Sequence, residues 1–161
     1  MTQSDRALAE QPHVVMAPRK RIALVAHDNK KDELLAWVEF NKDTLAEHEF
    51  YATGSTGKLL ADKVGLTVHR MQSGPLGGDQ QLGAAIVNGE IDMLVFFFDP
   101  LEAQPHDPDV RALLRIAAVW NIPVATNRAT ADFLISSPFM SGAYDRLLTD
   151  YYEYQHRLDG H

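Results

Sequence analysis

The chain is 161 residues long, a length that fits one domain and can bury a substantial core. It holds no cysteine, which excludes disulfides, thiolate catalysis and Cys-based metal sites. Its formal net charge is -7 with no basic stripe, which argues against nucleic acid as a partner, and no segment approaches the roughly 18 apolar residues that would span a membrane.

Residues 1–20 carry no periodic pattern and include Pro12 and Pro18. They read as a flexible N-terminal extension ahead of a domain over 21–161. The first nineteen residues are polar and lack the apolar run of a signal peptide, and with the absence of cysteine this leads us to expect a cytoplasmic protein. The apolar run I-A-L-V-A at 22–26 predicts a strand covered on both faces. Leu34, Leu35 and Val38 then recur at helical spacing. Phe50, Tyr51 and Ala52 form a second strand signal, and Leu59, Leu60 and Val64 a helix closed by Gly65. Residues 67–70 read as a third strand. A glycine-rich loop leads into a helix through Leu82, Ala85 and Ile86 that ends near Asn88 and Gly89. M-L-V-F-F-F at 93–98 is the clearest strand. Asp107 suits the cap, and Pro108 the first position, of a helix striped by Val110, Leu113, Leu114, Ala117 and Ala118. P-V-A-T at 123–126 is a fifth strand, 129–136 a further helix and 150–158 a last one.

Strands alternating with helices predict an α/β fold: a single-domain, doubly wound, mainly parallel five-stranded sheet with helices on both faces. Open sheets of this kind bind ligands beyond the carboxyl ends of their strands. The chemically loaded residues lie there: His27 and Asp28, then T-G-S-T-G at 53–57, S-G-P-L-G-G-D at 73–79, Asp99 with H-D-P-D at 106–109, and Thr126 with Asn127.

The loop of Thr53, Gly54, Ser55 and Thr56 opens a helix, whose free N–H groups and dipole suit a phosphate. The alternative is that Ser55 or Thr56 merely caps that helix. It is not a P-loop, because G-x-x-x-x-G-K-[ST] is absent. Lys31 lies four residues beyond His27 and can add a point charge, although an exposed lysine is usually just solvated. Ser73 and Gly74 offer further donors. Asp79 stands at the entry of a helix beginning near Gln80, as a cap or as a base. His106 can polarise a carbonyl, and Asp109 can orient it or simply complement the helix dipole. His27, Asp99, His106 and Asp109 lack the tight spacing of a metal site.

The motifs I-A-L-V-A-H-D, Y-A-T-G-S-T-G, S-G-P-L-G-G-D-Q-Q, D-P-L-E-A-Q-P-H-D-P-D-V and V-W-N-I-P-V-A-T-N, with A-T-A-D-F, closely resemble methylglyoxal synthase over about 20–154. The resemblance implies conversion of dihydroxyacetone phosphate to methylglyoxal and inorganic phosphate, with Asp79 as the catalytic base. It makes His27, Lys31, Thr53, Gly54, Ser55, Thr56, Ser73, Gly74 and His106 substrate contacts and Asp109 a second carboxylate. It further implies a homohexamer inhibited by phosphate, no metal or organic cofactor, and an arginine, here Arg157, that reaches a neighbouring subunit's site. Two rival readings share the fold or the intermediate. One is a regulatory anion-binding module of the carbamoyl phosphate synthetase kind. The other is a sugar-phosphate isomerase that makes the same enediolate.

Overall fold

A computed structural model describes residues 12–103, 107–149 and 157. Five parallel strands form the central sheet: β2 (Arg21–Ala26), β3 (Glu49–Ala52), β4 (Val68–Arg70), β5 (Met93–Phe97) and β6 (Val124–Ala125). Their spatial order is β4-β3-β2-β5-β6, so the chain winds outward from β2 in one direction and then returns to wind in the other. The reversal leaves a crevice between the carboxyl ends of β2 and β5, the place where such sheets take ligands.

The helices are α1 (Lys31–Phe40), α2 (Lys42–Leu45), α3 (Gly54–Val64), α4 (Gly78–Val87), α5 (Asp107–Val119) and α6 (Arg128–Ile135). Side chains alternate across a strand, and β2 divides its residues between two cores accordingly. Ile22, Leu24 and Ala26 pack with Leu34, Trp37 and Val38 of α1, Leu60 and Val64 of α3 and Ala131 of α6. Ala23 and Val25 pack with Leu82 and Ile86 of α4 and Val110, Leu113 and Ala117 of α5 on the other face. The expected doubly wound architecture is therefore present. Gly65 ends α3 in the left-handed region at φ 74, as its position after the last apolar residue predicts.

Three elements were not expected. One is the short α2. The others are β1 (His13–Met16) and β7 (Tyr144–Leu147), which pair antiparallel away from the main sheet. β1 lies inside the stretch 1–20 that shows no pattern. Only Met16 of its four residues is buried, so no alternation was there to read. Lys20 fastens this ribbon: its ammonium donates to the carbonyls of Ala17 and Gly142 at 2.5 and 2.6 Å. Tyr144 lies in β7 against Phe139, with ring centroids 4.8 Å apart. The helix expected over 150–158 lies outside the described residues except for Arg157, which is helical and exposed.

His48 gives a pH prediction. It is buried, and its Nδ1 accepts the backbone N–H of Lys20 at 2.9 Å. Desolvation pushes its pKa below the usual 6.5, with Lys20 and Arg19 acting in the same direction and Glu47 opposing. The unfolded chain therefore binds the proton more readily than the folded one. This contribution to stability is complete above pH 6.5 and is lost as pH falls through the lower folded value. His48→Gln keeps an acceptor for Lys20 and should flatten the urea-midpoint profile just below pH 6.5. Parallel profiles for variant and wild type would contradict this.

Candidate active site

The strand-end loops converge at the crevice. His27 follows β2, and its backbone N–H donates to the Phe97 carbonyl at 3.2 Å, across the switch point. Its ring packs edge-on against Phe96 with centroids 5.2 Å apart. Its Nδ1 accepts the backbone N–H of Asp99 at 3.0 Å. The neutral ring therefore carries its proton on Nε2 and is a donor there.

Lys31 opens α1 and reaches across to α3, donating to Ser55 Oγ at 2.8 Å and to Asp28 Oδ1. The hydrogen bond from Lys31 is the main reason the Asp28 carboxyl is held below its ordinary range. Asp99 is held low as well, first by the Asn29 amide and then by the Leu101 N–H.

Thr53 occupies the cap position of α3 in extended conformation, and its side chain makes no capping bond. The capping alternative for Ser55 and Thr56 thus does not describe this helix start. Thr56 is buried, and its hydroxyl donates to the Ala26 carbonyl at 3.5 Å. The neighbouring loop carries Ser73 and Gly74 on a 3-10 turn, Gly74–Leu76. Gly77 follows at φ 104, in the region that favours glycine, and occupies the cap position of α4.

Asp79 consequently sits one residue inside the first turn of α4, which begins at Gly78 and not near Gln80. It is not the cap. It is 2 % exposed, and it lies where the free N–H groups of a helix favour negative charge.

A cleft of about 330 Å³ gathers His27, Asp28, Lys31, Thr53, Ser55, Ser73, Gly74, Pro75 and Asp79. Gly54 and Thr56 do not line it, although both help build its wall. The Gly54 N–H donates to the Gln72 carbonyl at 3.1 Å, and a Cβ there would lie 3.1 Å from Ser73 N. Asp109 lines an adjoining cleft of about 280 Å³ between α4 and α5, and Asp79 forms part of both walls. Asn127 caps α6, accepting the Thr130 N–H at 2.9 Å, and faces a separate hollow with Lys30 and Pro100. His106 lies outside the described residues. Among the described residues, no three His, Asp or Glu side chains are grouped as a metal would require.

Two residues that support the site were missed from the sequence. Arg70, the last residue of β4, donates from its guanidinium to the Gly54 carbonyl at 3.1 Å. Gln81 accepts the Gln72 N–H on its Oε1 at 2.8 Å. Both act on backbone groups, and the only available signal was their adjacency to the two glycine-rich loops.

The cleft has a donor-rich wall with a cation at one side and a buried carboxylate at the other. Such an arrangement can hold a small phosphorylated molecule and take a proton from it. A family model described as MGS-like domain matches residues 33–126. Methylglyoxal synthase of Cellvibrio japonicus is 59% identical over 138 residues, covering 86% of this chain and 90% of that protein. Methylglyoxal synthase of Coxiella burnetii is 59% identical over 139 residues, covering 86% and 97%. The crystal structure of methylglyoxal synthase from Elizabethkingia anophelis superimposes with a TM-score of 0.86 at 51% identity, covering 90% of this chain and 95% of that one.

Proposed function

The chain belongs to the methylglyoxal synthase family and is a lyase of that activity, and from this premise we propose that Asp79 is the base that starts the reaction in the cleft at the β2–β5 crevice. The substrate is dihydroxyacetone phosphate. Its phosphate rests on the first turn of α3, met by the N–H groups there, the hydroxyls of Thr53 and Ser55, and the Lys31 ammonium. Asp79 removes one proton from the hydroxymethyl carbon. The electron pair of that C–H bond forms a carbon–carbon double bond, and the negative charge moves to the carbonyl oxygen. The Nε2–H of His27 can donate to that oxygen, with His106 assigned beside it by the family resemblance.

The enediolate then expels phosphate from the carbon on the other side of the carbonyl. The hydroxyl on the deprotonated carbon passes its proton to the departing phosphate and becomes the aldehyde carbonyl. The double bond shifts to the phosphate-bearing carbon as its C–O bond breaks with the electrons on phosphate, and the resulting enolate takes a proton at that carbon to give methylglyoxal. No electrons are gained or lost overall, so the reaction balances without a redox partner. Lys31 and the α3 N-terminus meet the charge that leaves. Asp109 shares a wall with Asp79 and is assigned to hold or receive a proton behind it.

The observation that carries this reading is Asp79 itself, buried in the wall of the cleft that also holds Lys31 and the start of α3. The test is purified protein with dihydroxyacetone phosphate and a chelator. Phosphate and methylglyoxal should appear in equal amounts; glyceraldehyde phosphate in their place would favour an isomerase.

Lys31→Met should raise KM and weaken competition by inorganic phosphate, each by about ten- to a hundredfold, the worth of a hydrogen bond to a charged group. Steady-state kinetics with added phosphate checks this, and an unaltered KM would remove Lys31 from the phosphate site.

The same premise extends to a homohexamer inhibited by its phosphate product, with Arg157 directed to a neighbouring subunit's site. It extends also to a cytoplasmic location, and to a catalytic domain over 21–161 behind an extension over 1–20. No helix among the described residues is long and apolar enough to cross a membrane.

A further inference from the structure

The reaction needs two things at a fixed separation: a phosphate held at the start of α3, and a carboxylate at the start of α4. These helices follow different strands, β3 and β4, and the main chain of Gln72 ties them together. Its carbonyl accepts the N–H of Gly54, the first residue of α3, at 3.1 Å. Its N–H donates to Gln81 Oε1 at 2.8 Å, and Gln81 lies on α4, two residues beyond Asp79. One residue, through its two main-chain groups, is thus held between the helix that carries the base and the helix that carries the phosphate.

The surrounding contacts tighten the link. Gly78 N–H donates to the Ser73 carbonyl at 2.9 Å, and the Arg70 guanidinium holds the Gly54 carbonyl at 3.1 Å. Gly78 also lets the start of α4 lie directly against the Gln72 carbonyl. Gln81 is exposed and its side chain lies outside the cleft, so packing of the core does not explain it.

We propose that Gln81 is a positioning residue for the proton transfer: by accepting the Gln72 N–H it fixes the distance from Asp79 to the phosphate bound at Ser55 and Lys31. This rests on the reading of Asp79 as base. A displacement of about 1 Å at a reacting centre can cost on the order of a hundredfold in rate. A side chain that tunes only the spacing should therefore affect kcat and leave phosphate binding alone.

The test uses the full chain and three substitutions. Gln81→Met keeps the length and removes the acceptor. Gln81→Glu keeps an acceptor oxygen at the same reach. Gln81→Ala repeats the removal without bulk, and carries the test if the Met variant does not fold. Removal should lower kcat by about ten- to a hundredfold. KM, the competition constant of inorganic phosphate and the Tm should stay at wild-type values, and Gln81→Glu should restore most of kcat. The primary isotope effect with substrate deuterated on the hydroxymethyl carbon should be larger in Gln81→Met than in wild type, because the proton-transfer step is the one slowed. An unchanged kcat in Gln81→Met would overturn the proposal. So would a loss of kcat matched by equal losses in phosphate affinity and Tm, which is the signature of a structural role. A wild-type protein that does not act on dihydroxyacetone phosphate would instead defeat the reading of the site, so the two failures are distinguishable.

Discussion

Asp79→Asn should lower kcat by about 10²- to 10⁴-fold, the usual contribution of a positioned general base. The amide matches the carboxylate in shape but cannot accept the substrate proton. Asp79 is 2 % exposed, so the surrounding structure fixes the replacement in the same place. Burying a neutral amide demands less desolvation than burying a carboxylate, so the Tm should not fall through loss of solvation. Inorganic phosphate should bind as before, because the contacts proposed for it are Lys31, Ser55 and the start of α3. The measurement is turnover of dihydroxyacetone phosphate alongside phosphate binding and thermal unfolding. Full activity in the variant would remove Asp79 from the chemistry, and loss of both activity and fold would make it a structural residue.

Gly78→Ala should damage both stability and rate, against the usual effect of this substitution in a helix. Replacing helical glycine with alanine ordinarily stabilises by about 0.5–1 kcal/mol. At Gly78 the new Cβ would lie 2.0 Å from the Gln72 carbonyl oxygen and 3.0 Å from the carbonyl carbons of Gln72 and Ser73. These are backbone atoms and cannot rotate away. Either α4 retreats or the Gln72 peptide turns, and each breaks the bonds that join the two loops. Overpacking of this kind costs about 1–3 kcal/mol, enough to overcome the propensity gain. For a chain of this size that corresponds to a fall in Tm of roughly 2–4 °C for each kcal/mol. Because Asp79 is the next residue, kcat should fall by about a hundredfold as well. Gly83, in the same helix, has nothing within 4 Å of its Cβ position, and Gly83→Ala should show the ordinary small stabilisation. Equal behaviour of the two variants would contradict the close approach at Gly78.

The sequence made the main sheet legible because its strands are buried on both faces. M-L-V-F-F-F and I-A-L-V-A have no polar side to confuse the signal, and both became strands at the crevice. The strand-end rule collects His27, Asp28, Thr53, Ser55, Ser73, Gly74 and Asp79 from the sequence, and the cleft brings these seven together with Lys31. What failed was local rotation. Thr56 and Ser55 are adjacent, yet the turn of α3 sends one hydroxyl to the Ala26 carbonyl and the other to Lys31.

The start of α4 was misread for a related reason. Gly77 at φ 104 and the close contact of Gly78 with Gln72 set that start, and both are tertiary facts. Asp79 therefore moved from a cap to the first turn. β1 and β7 were invisible because an exposed two-stranded ribbon leaves almost no apolar alternation. Arg70 and Gln81 were invisible because they hold main-chain groups, whose partners no side-chain pattern records.

The most direct test follows one atom. Dihydroxyacetone phosphate carrying two deuteriums on its hydroxymethyl carbon is given to the wild-type protein and to Asp79→Asn. The wild type should release phosphate and an equal amount of methylglyoxal that keeps one deuterium, on the aldehyde carbon, the other having gone to the base. Asp79→Asn should release neither product at a comparable rate. Undiminished release of singly labelled methylglyoxal by Asp79→Asn would contradict proton removal by Asp79.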